Sequence, residues 1–139
     1  MIAFDTDVLS LIFRGNLAYT QRVTAIPIVL QHVPIIVAEE IVRGRLDVVR
    51  KAEAGQAKIS LEQAYHLFEE ALMDLQQFKL LPYTAQADAW FQQWRREKVR
   101  VATHDLRITA ICRAHNATSV SRNRRDYERV PGLRVEFWL

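Results

Sequence analysis

The chain has 139 residues, half of them hydrophobic and a quarter charged, which suits one folded domain with a core of its own and excludes a disordered chain. Its single cysteine, Cys112, excludes an intrachain disulfide, and with no Cys/His cluster a structural zinc site is not expected. Net charge is +3, unevenly spread: residues 1–94 hold 8 Lys+Arg against 11 Asp+Glu, residues 95–139 hold 11 against 5, and 15 of the 19 basic residues are Arg.

The first residues, 1–4, are apolar and read as a buried strand that ends in Asp5-Thr6-Asp7. Val8, Leu9, Leu11 and Ile12 continue as a helix closed by Gly15. Residues 17–26 form a second short helix. Pro27 and Pro34 bracket a connection, and Ile35-Ile36-Val37 reads as a second buried strand. A helix follows from about Ala38 toward Lys51. Residues 54–60, with Gly55, break it. Leu61, Tyr65, Phe68, Leu72 and Leu75 then recur at steps of three and four, the strongest amphipathic helix in the chain.

Residues 79–82 suggest a short strand and residues 85–98 a helix with Ala89, Trp90 and Trp94 near one face. Residues 105–115 form a helix with Ile108, Ile111 and Cys112 inside. Residues 117–121 are a strand, 124–129 a helical turn, and 133–135 a final edge strand. The most apolar stretch, residues 23–38, is broken by Pro27, Gln31, His32 and Pro34 and is too short to span a bilayer. With no leader-like opening, the expectation is a cytoplasmic protein without membrane contact.

Strands alternating with helices imply an α/β domain with a parallel sheet covered on both faces. In such sheets ligands bind beyond the carboxyl ends of the strands. The acids fall at those ends. Asp5 and Asp7 follow the first strand, Glu39 and Glu40 the second, and Asn123 and Asp126 the strand at 117–121; Asp105 opens the helix before that strand. Carboxylates brought together repel unless a cation joins them or their pKa values rise. Oxygen ligands without His or Cys suit Mg²⁺ or Mn²⁺, which can activate water and offset charge on a phosphoryl oxygen. Each acid also has a plainer use. Asp5, Asp7 or Asp105 could cap a helix, Glu39 and Glu40 could favour a helix dipole from the first turn, and Asp126 could pair with a nearby arginine.

Four stretches carry a resemblance. They are Ile2-Ala3-Phe4-Asp5-Thr6-Asp7-Val8-Leu9, Ala38-Glu39-Glu40-Ile41-Val42-Arg43-Gly44, Ala102-Thr103-His104-Asp105-Leu106-Arg107-Ile108-Thr109-Ala110, and Ala117-Thr118-Ser119-Val120-Ser121-Arg122-Asn123-Arg124-Arg125-Asp126-Tyr127. In order and spacing they resemble the motifs of the PIN-domain family, and among them the VapC-type toxins. The resemblance runs the length of the chain, 1–139, as one three-layer α/β/α domain with a parallel sheet of four to five strands.

This resemblance implies a metal-dependent endoribonuclease of a toxin–antitoxin pair. Asp5, Glu40, Asp105 and Asp126 match its acids, Asp5 and Asp105 being the ligands of Mg²⁺ or Mn²⁺. Thr6, Ser121 and Asn123 match supporting positions, Asn123 standing where a fourth acid is common and Asp7 where Asn or Ser is usual. Tyr127 stands at a Phe position. Arg43, Arg107, Arg122 and Arg124 are candidates to hold RNA, expected to be single-stranded or looped. A small VapB-type antitoxin is the implied partner. It would lie in an apolar groove between the helices that begin near Ala38 and Leu61 and place a basic group near the acids. A homodimer is also implied. A plain core explains the Leu61–Leu75 stripe equally well.

Two other readings stay open. Phe4-Asp5-Thr6-Asp7-Val8 fits the opening of haloacid-dehalogenase-like phosphatases, with Asp5 as nucleophile and Asp7 as acid/base. That family needs a later lysine and acid pair, and Lys98 is the last lysine. A housekeeping RNA-processing PIN nuclease would share the motifs of a toxin.

Overall fold

A computed structural model describes residues 1–139. The strands are β1 (Ile2–Phe4), β2 (Gln31–Pro34), β3 (Lys79–Leu81), β4 (Thr118–Ser121) and β5 (Val135–Phe137). The helices are α1 (Thr6–Phe13), α2 (Leu17–Thr24), α3 (Ile35–Glu53), α4 (Leu61–Leu75), α5 (Ala85–Arg96), α6 (Thr103–Ala114) and α7 (Arg124–Tyr127). The sheet order is β3-β2-β1-β4-β5 and every pairing is parallel. Helices cover both faces, giving the α/β/α layering expected from the alternation of elements.

Successive residues of β1 point to opposite faces and separate two cores. Phe4 joins Val8, Leu9, Val33, Val37, Ile41, Val120 and Trp138 on one face. Ala3 joins Phe91, Trp94, Leu106, Ile111 and Cys112 on the other. Trp138 closes the first core: its ring lies edge-on to Phe4 at 5.7 Å, and its carbonyl accepts a hydrogen bond from the Tyr19 hydroxyl at 2.6 Å.

The structure corrects several boundaries. Ile35-Ile36-Val37 is not a strand but the first turn of α3; the second strand is Gln31–Pro34. Its residues are all buried although two are polar. The Gln31 amide donates to the carbonyls of Val23 and Ile26, and the His32 ring bonds the Leu30 carbonyl. Satisfied in this way, polar side chains can occupy a central strand. Pro34 precedes the first turn of α3, where a missing backbone N–H costs nothing. The last strand is Val135–Phe137, two residues later than expected, because the Arg134 guanidinium is tied to Asn116 and Trp138 must reach the core.

Helix α4 starts at a capping box, Ser60 with Gln63. It buries Ala64, Ala71 and Leu75, half-buries Phe68 and leaves Leu61, Tyr65 and Leu72 exposed, so the plain-core reading of that stripe fails for those last three.

Helix α6 is buried on nearly all sides, through Leu106, Ile108, Thr109, Ala110, Ile111 and Cys112. A helix so enclosed holds whatever stands at its first turn. Ile108→Ala leaves a cavity that the packed surroundings cannot fill, and is expected to cost about 2–5 kcal/mol in urea unfolding. Met73→Ala, on the exposed side of α4, is expected to stay within about 0.5 kcal/mol of the parent.

Candidate active site

The chain leaves β1 for β2 on one side of the sheet and returns through β4 on the other. The connections therefore diverge beyond the carboxyl end of β1, which is the switch point where α/β sheets open a crevice. A cavity of about 200 Å³ lies there, lined by Asp5, Thr6, Asp7, Glu40, Asp105, Asn123 and Tyr127. No arginine or lysine lines it.

Asp5 is placed first by the sheet. Its backbone N–H donates to the Val120 carbonyl at 3.0 Å, continuing the β1–β4 ladder by one residue. Its side chain then caps α1, accepting from the Val8 N–H at 2.9 Å. The capping use weighed for this acid is real, and it fixes the carboxylate in the cavity. Asp7 is not the cap. It lies in the first turn of α1, exposed, at the cavity wall.

Glu40 lies beyond the first turn of α3, because that helix begins at Ile35. A dipole role from the first turn is therefore excluded. Its Oε1 accepts from the Thr6 hydroxyl at 2.6 Å, and its Oε2 lies 3.6 Å from Nδ1 of His104. Glu39 points away and pairs with Arg43 on the surface. Asp105 stands in the first turn of α6 but bonds no backbone N–H; Ala102 is the terminal residue there, without a side-chain cap. Capping therefore does not account for Asp105.

Asn123 and Asp126 bind each other. Asn123 Oδ1 accepts from the Asp126 N–H at 3.2 Å, and its Nδ2 donates to Asp126 Oδ2 at 2.9 Å. The Asn123 N–H donates to the Ser121 hydroxyl oxygen at 2.9 Å. Asn123 lines the cavity and Asp126 does not; Arg129 approaches Asp126 at 3.9 Å.

The four arginines considered for RNA all have partners within the chain, and none lines the cavity. Arg43 pairs with Glu39 and Arg124 with Glu128. Arg107 lies over the Phe91 ring at 4.9 Å and Arg122 over Tyr19 at 5.9 Å.

Burial pushes the Asp5 carboxyl up to about 6, and the charges of Asp7 and Asp105 add to that; Ser121 and the Val8 N–H act in the opposite direction. Asp105 is also raised to about 6, by burial and then by Glu40, Asp126 and Asp7. Burial likewise raises the Cys112 thiol to about 12, which makes it an inert core group.

This is a crowded donor set of oxygens with no arginine or lysine in the lining, which fits a hard divalent ion. No three of these acids stand close enough to bind one ion jointly with side chains as they are. Like charges this near one another repel, and a cation between the acids would offset that repulsion.

Two residues here were not among the candidates. His104, beside Glu40, falls inside the third stretch. Tyr127, which lines the cavity, ends the fourth, and its only sequence signal is the hydroxyl itself.

No family model matches the sequence, and no curated protein sequence matches it. Solved structures do. The chain is similar to one in the VapBC2 complex of Rickettsia felis bound to promoter DNA, with 18% identity, full coverage of both chains and a TM-score of 0.74. It is similar to one in DNA-bound VapBC of Salmonella typhimurium, with 19% identity over 99% of this chain and 98% of that one and a TM-score of 0.77. For FitAcB of Neisseria gonorrhoeae the values are 18%, 97%, 96% and 0.79.

The raised carboxyls make a pH prediction. The folded chain holds protons on Asp5 and Asp105 that the unfolded chain releases near 3.8. The stability these two groups contribute is therefore full below about pH 4 and is lost as pH rises through about 6. With a chelator present, Asp5→Asn keeps an oxygen for the Val8 N–H and removes the buried charge. It is expected to stabilise the fold by about 1–3 kcal/mol at pH 7.5. In urea titrations that gain shrinks toward zero at pH 4.

Parallel strands in the order β3-β2-β1-β4-β5, helices on both faces and end-to-end superposition on these chains give the protein the PIN-like α/β/α fold that its motifs resemble.

Proposed function

We propose that this chain is a Mg²⁺- or Mn²⁺-dependent endoribonuclease, the toxin of a toxin–antitoxin pair. The observation that carries the reading is the cavity at the switch point, lined by Asp5, Glu40 and Asp105 and by no arginine or lysine. The PIN-like fold and its likeness to chains of VapBC complexes support it.

Asp5 and Asp105 are the residues that would hold the cation, with Glu40 contributing directly or through water. When bound, the ion supplies Lewis acidity toward a phosphoryl oxygen and a more acidic water. The chain's own residues set the geometry. Thr6 fixes one oxygen of Glu40 and leaves the other facing His104. The Val8 N–H fixes one oxygen of Asp5. Asn123, anchored on Ser121, holds Asp126 beside the cavity, where its charge still reaches Asp105.

RNA would meet a negative pocket inside a basic C-terminal surface. Arginine forks suit phosphate oxygens, and those of Arg43 and Arg124 would exchange a surface acid for the backbone at little cost. A single-stranded segment fits better than a duplex, whose bases and scissile bonds are less accessible. The exposed Leu61, Tyr65, Leu72 and Met73 of α4 offer an apolar surface beside α3 for an antitoxin segment. No helix is long and apolar enough to cross a membrane. Pairing into a homodimer belongs to the same reading.

Expression of the lone chain in a bacterial host is expected to arrest growth, and expression of Asp5→Asn is not. The purified protein is expected to cleave RNA with Mg²⁺ or Mn²⁺ and to stop with a chelator. Asp105→Asn should lower the rate more than about 100-fold, beyond the usual cost of an outer-shell partner. Intact RNA in both metals would remove the nuclease reading. Hydrolysis of a small phosphomonoester, lost in Asp7→Asn, would favour the phosphatase instead.

A further inference from the structure

Tyr127 ends α7 with its side chain buried, 1% exposed, against the acidic cavity. Its hydroxyl is enclosed and has no hydrogen-bond partner. Buried polar groups are nearly always paired, and one left alone is destabilising. The ring alone would fill the same space, as a Phe would. A phenol keeps its proton at neutral pH, so the group is a donor. A donor without an acceptor, among carboxylates without a cation, lacks an oxygen that the cavity does not itself supply.

We propose that Tyr127 is a further residue of this site, a positioning residue whose hydroxyl donates to a water oxygen that enters the cavity with a divalent cation. The proposal rests on the cation-binding part of the function proposed above. It extends the site from carboxylates that hold charge to a neutral donor that orients the shell around that charge. A water in such a place has two kinds of partner, the acids that accept from it and the phenol that donates to it. It is thereby fixed in position and in orientation. Outer-shell partners of this kind commonly change metal affinity by about 10–100-fold.

The test is Tyr127→Phe, which removes one oxygen and keeps the ring. Two measurements are made on the full chain: thermal unfolding in a chelator, and calorimetric titration with Mn²⁺. The expected result is a variant at least as stable as the parent when metal-free, with Mn²⁺ binding weaker by about tenfold. Metal-free stability lower by about 5 °C or more would mean that the hydroxyl has a structural partner, and would overturn the proposal. Equal Mn²⁺ affinity in parent and variant would overturn it while leaving the cation site intact. A parent chain that binds no Mn²⁺ would remove the cation site itself, and the role of Tyr127 with it.

Discussion

Strand β1 is the centre of the sheet, hydrogen-bonded to β2 on one side and β4 on the other. Its three residues cannot hold much by themselves, yet the placement of every acid depends on them. The pairing Phe4 with Val120 continues into the Asp5 N–H, which bonds the Val120 carbonyl. One more residue and the chain turns into α1, with Asp5 as its cap. Glu40 arrives from β2 through α3, and Asn123 from β4 through the turn before α7. Slipping β1 by one residue would reverse its faces, sending Phe4 to the side of Ala3 and separating Asp5 from Val8. Register, cap and carboxylate position are one constraint.

The end of β1 and the spacing of the acids were legible in the sequence, the first because an apolar run stops abruptly at Asp5; β4 has Val120 as its one apolar residue and carried a weaker signal. The second strand was not legible. Gln31 and His32 look like loop residues until their partners, the Val23, Ile26 and Leu30 carbonyls, are known. Ile35, Ile36 and Val37 look like a strand because they are β-branched; Pro34 and tertiary packing turn them into helix. That shift also altered the meaning of Glu40, which moved out of the first turn and lost its dipole explanation. The Leu61–Leu75 stripe shows the opposite problem: period alone identifies a helix but not which part of its apolar arc is covered. Helix α4 packs on α3 and buries Ala64, Ala71 and Leu75, while Leu61, Tyr65 and Leu72 stay exposed.

Asn123 shows how a neutral residue can serve an acidic site. It does not add a fifth charge to a cavity already holding Asp5, Asp7, Glu40 and Asp105. Its amide nitrogen donates to the Asp126 carboxylate, its amide oxygen accepts from the Asp126 N–H, and its own N–H donates to the Ser121 hydroxyl oxygen. An Asp at that place would lose the amide donor and face Asp126 as a like charge. Sequence reading noted the missing acid; only the bonds reveal that the amide nitrogen is used.

The site is arranged against the stability of the chain that carries it. Buried Asp5 and half-buried Asp105 hold protons too tightly to be comfortable as carboxylates, and the Tyr127 hydroxyl lacks a partner. The Asp5 cap on α1 aside, none of these improves the fold. Each stands on a well-packed element: Asp5 between β1 and α1, Asp105 on the enclosed α6, and Tyr127 against both carboxylates. Because the frame is rigid, the acids cannot relax by moving far apart. The strain remains available to whatever neutralises it, and a cation with its water can answer charge and unpaired donor together.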